Sequence, residues 1–229
     1  MKVHLEGMMR NFIYRHPFML RVVKVVLGIR DLLFPVRGRD NKIEIQGNVT
    51  RLRKSIIGNH NVVKITNSNV DRATVRIRGN GNTLCIEDGC SIGKNCSFWL
   101  EGNNNKIRIG KHTSMTLRCH FNAQEHDTNI IVGEDCMFSN TIIVRTSDSH
   151  PIYNDEGIRI NFPRDVIIGN HVWIAPNSVI MKGAVIGNGC IVGSHSMVNK
   201  TVPDNTLVVG MPARVVKENI RWTRENVLV

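Results

Sequence analysis

Acids, aromatics and long apolar runs are all scarce in this 229-residue chain. Nineteen Asp and Glu face thirty Lys and Arg, a formal charge of +11 and a pI of about 9.8. Such a surface attracts anionic partners: nucleic acid, a membrane surface, an acidic polymer or a phosphorylated cofactor. Aromatics make up only 5% of the residues, and the aromatic signature of RNA-binding modules is missing, so nucleic acid is not expected. Cys85, Cys90, Cys96, Cys119, Cys136 and Cys190 form no CxxC pair, which removes zinc-knuckle spacing. Buried, reduced thiols that act as compact apolar side chains suit a reducing cytoplasm. The segment "FMLRVVKVVLGIRDLLF" is broken by Arg21, Lys24, Arg30 and Asp31, and reads as neither a spanning helix nor a signal peptide. No GxGxxG opens the chain, and no GxSxG elbow offers a serine nucleophile.

What the sequence does have is a period. Residues 168–203 divide into six in-phase hexapeptides, "IGNHVW", "IAPNSV", "IMKGAV", "IGNGCI", "VGSHSM" and "VNKTVP", each opened by an aliphatic residue. A longer echo lies upstream, where "GRDNKIEI", "GNHNVVKI", "GNGNTLCI" and "GNNNKIRI" begin at residues 38, 58, 79 and 102. A six-residue unit supplies one short strand and a tight corner, and three units close a coil. The opening aliphatics stack inward from coil to coil, while Gly and Asn serve corners where positive φ is tolerated. The expected fold is all-β, a left-handed parallel β-helix over residues 38–203. Residues 1–37 form a basic amphipathic helical extension ahead of it, and 204–229 a C-terminal loop and helix behind it. Residues 1–39 carry eight Lys or Arg against Glu6 and Asp31. That extension either lies on an anionic membrane face or packs on the body with its charges solvated. The pattern breaks at 145–165, where "TSDSHPIYNDEGIRIN" sets a lone His150 among polar residues.

The tandem [Ile/Val]-Gly-x-x-[small]-x units, followed by "VPDNTLVVGMPARVVKENI", resemble the left-handed β-helix hexapeptide-repeat acyltransferases. "VGEDCMFSN", "RTSDSHPIYN" and "VIIGNHVWIAPNSVIMKG" occur in the order seen in the branch containing bacterial surface-polysaccharide O-acetyltransferases. The resemblance covers roughly residues 100–220; before them only the coil pattern matches. It implies direct acetyl transfer from acetyl-CoA to a sugar hydroxyl in a ternary complex. The alcohol is a weak nucleophile at neutral pH and needs a base, and a neutral imidazole suits the task.

The resemblance maps that base onto His150. Its second ring nitrogen needs an orienting partner, for which Asp148, Glu125 and a loop carbonyl are the candidates, although Asp148 equally suits a bond to Arg145 or a turn cap. A backbone N–H near Trp173 would hold the developing oxyanion, with the indole lining the pocket; His171 is expected to face solvent. Ala175, Ser194, Lys200 and Arg214 fall along the ridge that binds acetyl-CoA, the two cations suited to its phosphates. Asn199 stands where relatives often carry Thr. His120, Asn122 and Glu125, one coil before His150, border the acceptor groove, which in this family forms between neighbouring subunits of a homotrimer.

The acceptor expected is a glycan, and the net charge favours an anionic one such as a sialic-acid polymer. Other readings are an amino-sugar N-acetyltransferase and a non-catalytic scaffold. A zinc-dependent carbonic anhydrase-like β-helix is a further one, built on His120 and His126; no metal is expected otherwise. The site of action is the cytoplasm, with the inner membrane face open to residues 1–37.

Overall fold

The structure, a computed structural model, describes residues 35–225. It is a parallel β-helix: strands follow one another three to a coil, and each coil stacks in register on the last. Eight strands build one face, running from Val36–Arg37 through Arg53–Ile57, Thr74–Arg78, Ser97–Glu101, His120–Gln124, Ile143–Arg145 and Val179–Ile180 to Met197–Val198. The other two faces count as a single sheet because Val62–Asp71 runs along both. Its first half pairs with Thr83–Ile86 and its second with Ser91–Lys94. Ile174 stands beside Val192, eighteen residues on, as three hexapeptides require; Ile107 stands beside Ile130, twenty-three on, the longer upstream echo.

The six aliphatics that open the hexapeptides, Ile168, Ile174, Ile180, Ile186, Val192 and Val198, are each no more than 1% exposed. Face by face they continue columns begun upstream. Val75, Phe98, Phe121, Val144, Ile180 and Val198 form one such column. Phe98 stacks on Phe121 at 5.5 Å between ring centroids, and Phe138 meets Phe121 edge-on at the same distance. Small residues fill the converging corners as expected. Cys90, Cys96, Cys119, Cys136 and Cys190 are wholly buried and unpaired, and burial pushes the Cys90 and Cys136 thiols up to about 11.

The upstream echo encodes two amide ladders. Gly79, at φ +125°, meets Gly102 so closely that a Cβ would run into the carbonyl oxygen of Gly102, so glycine is obligatory there. On the surface, Asn59, Asn80 and Asn103 each accept the N–H of the corresponding residue one coil earlier, at 2.8–2.9 Å. Beneath them, Asn41, Asn61, Asn82 and Asn105 accept the N–H groups of Asn61, Asn82, Asn105 and Thr128, all at 3.0 Å. The Nδ2 groups of Asn61, Asn82 and Asn105 donate to the carbonyls of Gly79, Gly102 and Glu125 at 2.9 Å. A buried amide costs stability only if its hydrogen bonds are missing, and these have theirs.

The expected C-terminal helix is absent from the described part of 204–229. Leu207–Gly210 extends the last coil, and Ala213–Lys217 folds back on it as an antiparallel hairpin. Val208, Val209, Val215 and Val216 explain this, since β-branched side chains favour the extended backbone. The expected N-terminal helix lies almost wholly outside the described residues; Val36–Arg37 at its end is strand.

Replacing Asn82 by Ala would strand the N–H of Asn105 and the carbonyl of Gly102. The expected loss is about 2–4 kcal/mol, read as a lower denaturant midpoint at unchanged m-value.

Candidate active site

The chain leaves the coil after Arg145 and rejoins it at Val166. Pro151 and Pro163 have no N–H to give a strand ladder, and Asn154 turns the loop by accepting the N–H groups of Glu156 and Ile158. Internally the loop is a short antiparallel turn, with the Tyr153–Arg159 bridge and backbone bonds from Asn154 N to Ile158 O and Ile160 N to Ile152 O. Its placement on the coil comes from polar braces.

Glu125 is the first brace. Its carboxylate accepts two bonds from Arg159, at 2.7 and 2.8 Å, and one from Ser147 Oγ at 2.6 Å. The Arg159 guanidinium, helped by Ser147, holds the carboxyl below the usual range despite partial burial. Asp148 is the second. Lys182 Nζ donates to it at 2.5 Å and Asn161 Nδ2 at 3.0 Å. Partial burial raises this carboxyl, but the bonds from Lys182 and Asn161 outweigh it and leave the group lowered.

His150 lies on the exposed outer part of the excursion, beside residues that are themselves braced. Its carbonyl accepts Asn161 Nδ2 at 2.8 Å, and its imidazole has no hydrogen-bond partner among the described residues. The Asp148 carboxylate therefore faces Lys182 and Asn161 rather than the ring, and reaches His150 only through the shared amide of Asn161. Arg145 bonds the Ser147 carbonyl and Ser149 Oγ, not Asp148.

The outer surface of the eight-stranded face leads into this loop. His120 Nδ1 sits 2.6 Å from Ser97 Oγ, its ring edge-on to Trp99 at 4.6 Å, and burial lowers its affinity for a proton. Asn122 stands in register between Trp99 and Arg145. It is 8% exposed, and its Oδ1 is a buried acceptor without a partner among the described residues. A hydroxyl of a bound molecule would satisfy it. Arg164, Phe162, Ile160 and Asn161 of the returning arm, with Met181, Lys182, Met197 and Asn199 of the coil, line an open cleft of about 400 Å³.

Trp173, Ala175 and Ser194 lie elsewhere. Trp173 pairs with Met137 and Ile191 on another face, and Ala175 and Ser194 approach the edge where that face turns into the eight-stranded one. The excursion leaves from the opposite edge. No hydrogen bond or ring contact joins His150 to Trp173 among the described residues. Lys200 is exposed one coil beyond Lys182, and Arg214 is exposed on the hairpin, donating to the Ala213 carbonyl at 3.0 Å.

His171 keeps 38% of its side chain in solvent but is held on two sides. It stacks on Trp222 at 4.0 Å, and its Nδ1 meets Asp135 at 2.7 Å. Trp222 also packs 6.0 Å from Trp173, and Arg224 ties the tail to Asp135, Ser114 and the Cys136 carbonyl. Nothing local in "IRWTREN" signals this strap, because its partners are up to 112 residues away. His126, proposed with His120 for metal, accepts the Asn103 N–H at 3.2 Å and belongs to the surface ladder. No group of three or more His, Cys, Asp or Glu is placed to share a metal ion among the described residues.

A solenoid of hexapeptides with a histidine-bearing excursion defines a class, the hexapeptide-repeat transferases. The family model "Bacterial transferase hexapeptide (six repeats)" matches residues 165–200. The chain is 35% identical over 211 residues to a polysialic acid O-acetyltransferase of Neisseria meningitidis, covering 84% of this chain and 90% of that protein. The crystal structure of the polysialic acid O-acetyltransferase OatWY superposes with a TM-score of 0.77 at 37% identity, over 83% of this chain and 90% of the other. The polySia-specific acetyltransferase NeuO gives 0.74 at 30%, over 83% and 88%. The chain belongs to the hexapeptide-repeat acyltransferases, in the branch of the surface-polysaccharide O-acetyltransferases.

Glu125 and Asp148 bind protons more weakly folded than unfolded. Their contribution to holding the loop is complete above about pH 4, the unfolded value, and is lost as the pH falls through the lower folded values. Amide protection across 150–162, relative to the intrinsic exchange rate at each pH, is expected to fall there before the coil's own protection does. Glu125→Gln should produce the same loss of protection at neutral pH.

Proposed function

We propose that this protein moves an acetyl group from acetyl-CoA to a sugar hydroxyl in a sialic-acid-containing surface polysaccharide. Its relatives named for polysialic acid support the acceptor, as does a formal charge of +11. The observation that carries the reading is His150, an imidazole free of intramolecular bonds on a loop braced at both of its ends. His150 takes the proton of the acceptor hydroxyl as it attacks, directly and without a covalent enzyme intermediate. Asp148 and Asn161 position the His150 backbone, and a carbonyl of the loop or of the acceptor is left to orient the ring. Asn122 Oδ1 accepts a hydroxyl of the sugar, with His120 beside it. Glu125 serves the acceptor groove by holding Arg159 and Ser147.

Acetyl-CoA supplies the activated acyl group. Ala175 and Ser194 border its pantetheine arm, where backbone amides of successive coils offer donors, and the cations Lys200 and Arg214 meet its phosphates. The N–H and indole of Trp173 serve the thioester carbonyl. His150 and Lys200 lie at one edge of the eight-stranded face and Ala175 and Ser194 at the other, so a complete centre pairs the loop of one copy with the Ala175–Ser194 ridge of a neighbour in a homotrimer of left-handed coils. Ile152, Tyr153, Ile158, Ile160 and Phe162, each 51–59% exposed in the single chain, supply apolar surface for that neighbour. A co-substrate made inside the cell, and buried thiols, favour a cytoplasmic reaction before export.

Release of free coenzyme A thiol, measured with oligosialic acid as acceptor, tests the reading. His150→Ala should lower the acceptor-dependent rate on the order of 10²- to 10⁴-fold while coenzyme A still binds. Wild-type turnover by the variant would remove the mechanism.

A further inference from the structure

The coils turn their corners through residues in the left-handed region, and those residues stack into columns along the three edges. Two columns hold the residue types this backbone favours. One runs through Asp40, His60, Gly81, Asn104 and Asp127, and another through Asn67, His112, Asp135, His171 and Asn205. The third is different. It begins Arg51, Arg72, Asn95 and Arg118, at φ between 51° and 60°, and continues through Thr141, Asn177 and His195. Backbone bonds of 2.8–3.1 Å between successive coils keep this edge in register, from Arg72 N to Thr50 O up to His195 N to Pro176 O.

These three are the only described arginines with positive φ. An arginine has no short polar group to bond its own backbone in this conformation, as asparagine and aspartate have. Stacking the same charge on neighbouring coils about 4.8 Å apart adds repulsion, and Lys94 places a further cation in the coil between Arg72 and Arg118. All four side chains are exposed. Arg72 meets Asp71 at 3.4 Å; Arg51, Lys94 and Arg118 have no carboxylate in ion-pair range among the described residues. The fold would be better served by asparagine, so the charge answers to something outside the chain.

We propose that this edge binds a carboxylate-bearing polysaccharide, holding sugar units remote from the one being acetylated. The inference rests on the function proposed above and deepens it. A polymer with a negative charge on each unit can meet several cations spread over about 14 Å, three coil spacings. A monomer can meet one. Further up, the same edge carries Asn177 and His195, beside Ala175 and Ser194 of the proposed coenzyme A ridge. A chain lying along it is thus led toward the acetyl donor.

The triple variant R51N/R72N/R118N separates folding from binding, because Asn suits the left-handed backbone. Its Tm should equal or exceed that of wild type. Titration of fluorescently labelled long-chain polysialic acid should show affinity reduced on the order of three- to tenfold. The wild-type weakening with added salt should flatten. K64N/K106N/K111N, a charge-matched change away from this edge, should lose less. The proposal falls if wild type does not bind the polymer, if the arginine variant binds it as wild type does, or if the control loses as much. It falls too if the arginine variant loses affinity only for a DNA duplex, which would assign the edge to nucleic acid. Binding that behaves as expected without any thiol release on polysialic acid would overturn the transferase reading alone.

Discussion

Registration between coils is the interaction on which everything else in this molecule depends. A parallel solenoid has no long-range closure to correct an error, so each coil must be told where to sit by the one before. Backbone pairing alone is indifferent to a slip of two residues, which returns every side chain to its own face. The side-chain amides remove that freedom. Asn41, Asn61, Asn82 and Asn105 each read a single N–H on the next coil, and the buried run ends at Thr128, whose hydroxyl lies 3.1 Å from that of Thr146. Thr146 is where the chain departs for the excursion. Register set in the early coils is therefore handed directly to the loop that carries His150.

The periodic parts of this fold were legible because a solenoid writes its tertiary contacts as local repeats. Ile168 and Ile186 touch across eighteen residues, and the same spacing is visible in the sequence. The glycines and asparagines of the upstream echo announced corners, though not that one asparagine of each pair would be buried and the other exposed. Where contacts leave the period, the sequence is silent. The hold of Lys182 on Asp148 spans 34 residues, and that of Arg224 on Ser114 spans 110. No repeat encodes either. The C-terminal segment misled for the converse reason: its valines carry strand propensity, and its hairpin ends the coil rather than continuing it.

His150 was visible as an interruption, and its motif gave it a role. Its surroundings were not visible. Asp148 and Glu125, natural partners for an imidazole, are both engaged by cations that the loop itself or the next coil supplies. The loop is held by charge because it has no core of its own; its large apolar residues point outward. Asn122 shows the opposite economy, a buried amide oxygen left open on a surface where every other buried side-chain polar atom among the described residues is satisfied.

The closing hairpin has a consequence for the whole solenoid. A stack of parallel strands ends in a row of unpaired N–H and C=O groups, a template on which a second molecule could continue the coil. Ala213–Lys217 occupies the edge of Leu207–Gly210 running the other way, so the last rung is already spent on the chain's own reversal. The molecule thus ends its own polymerisation at that edge.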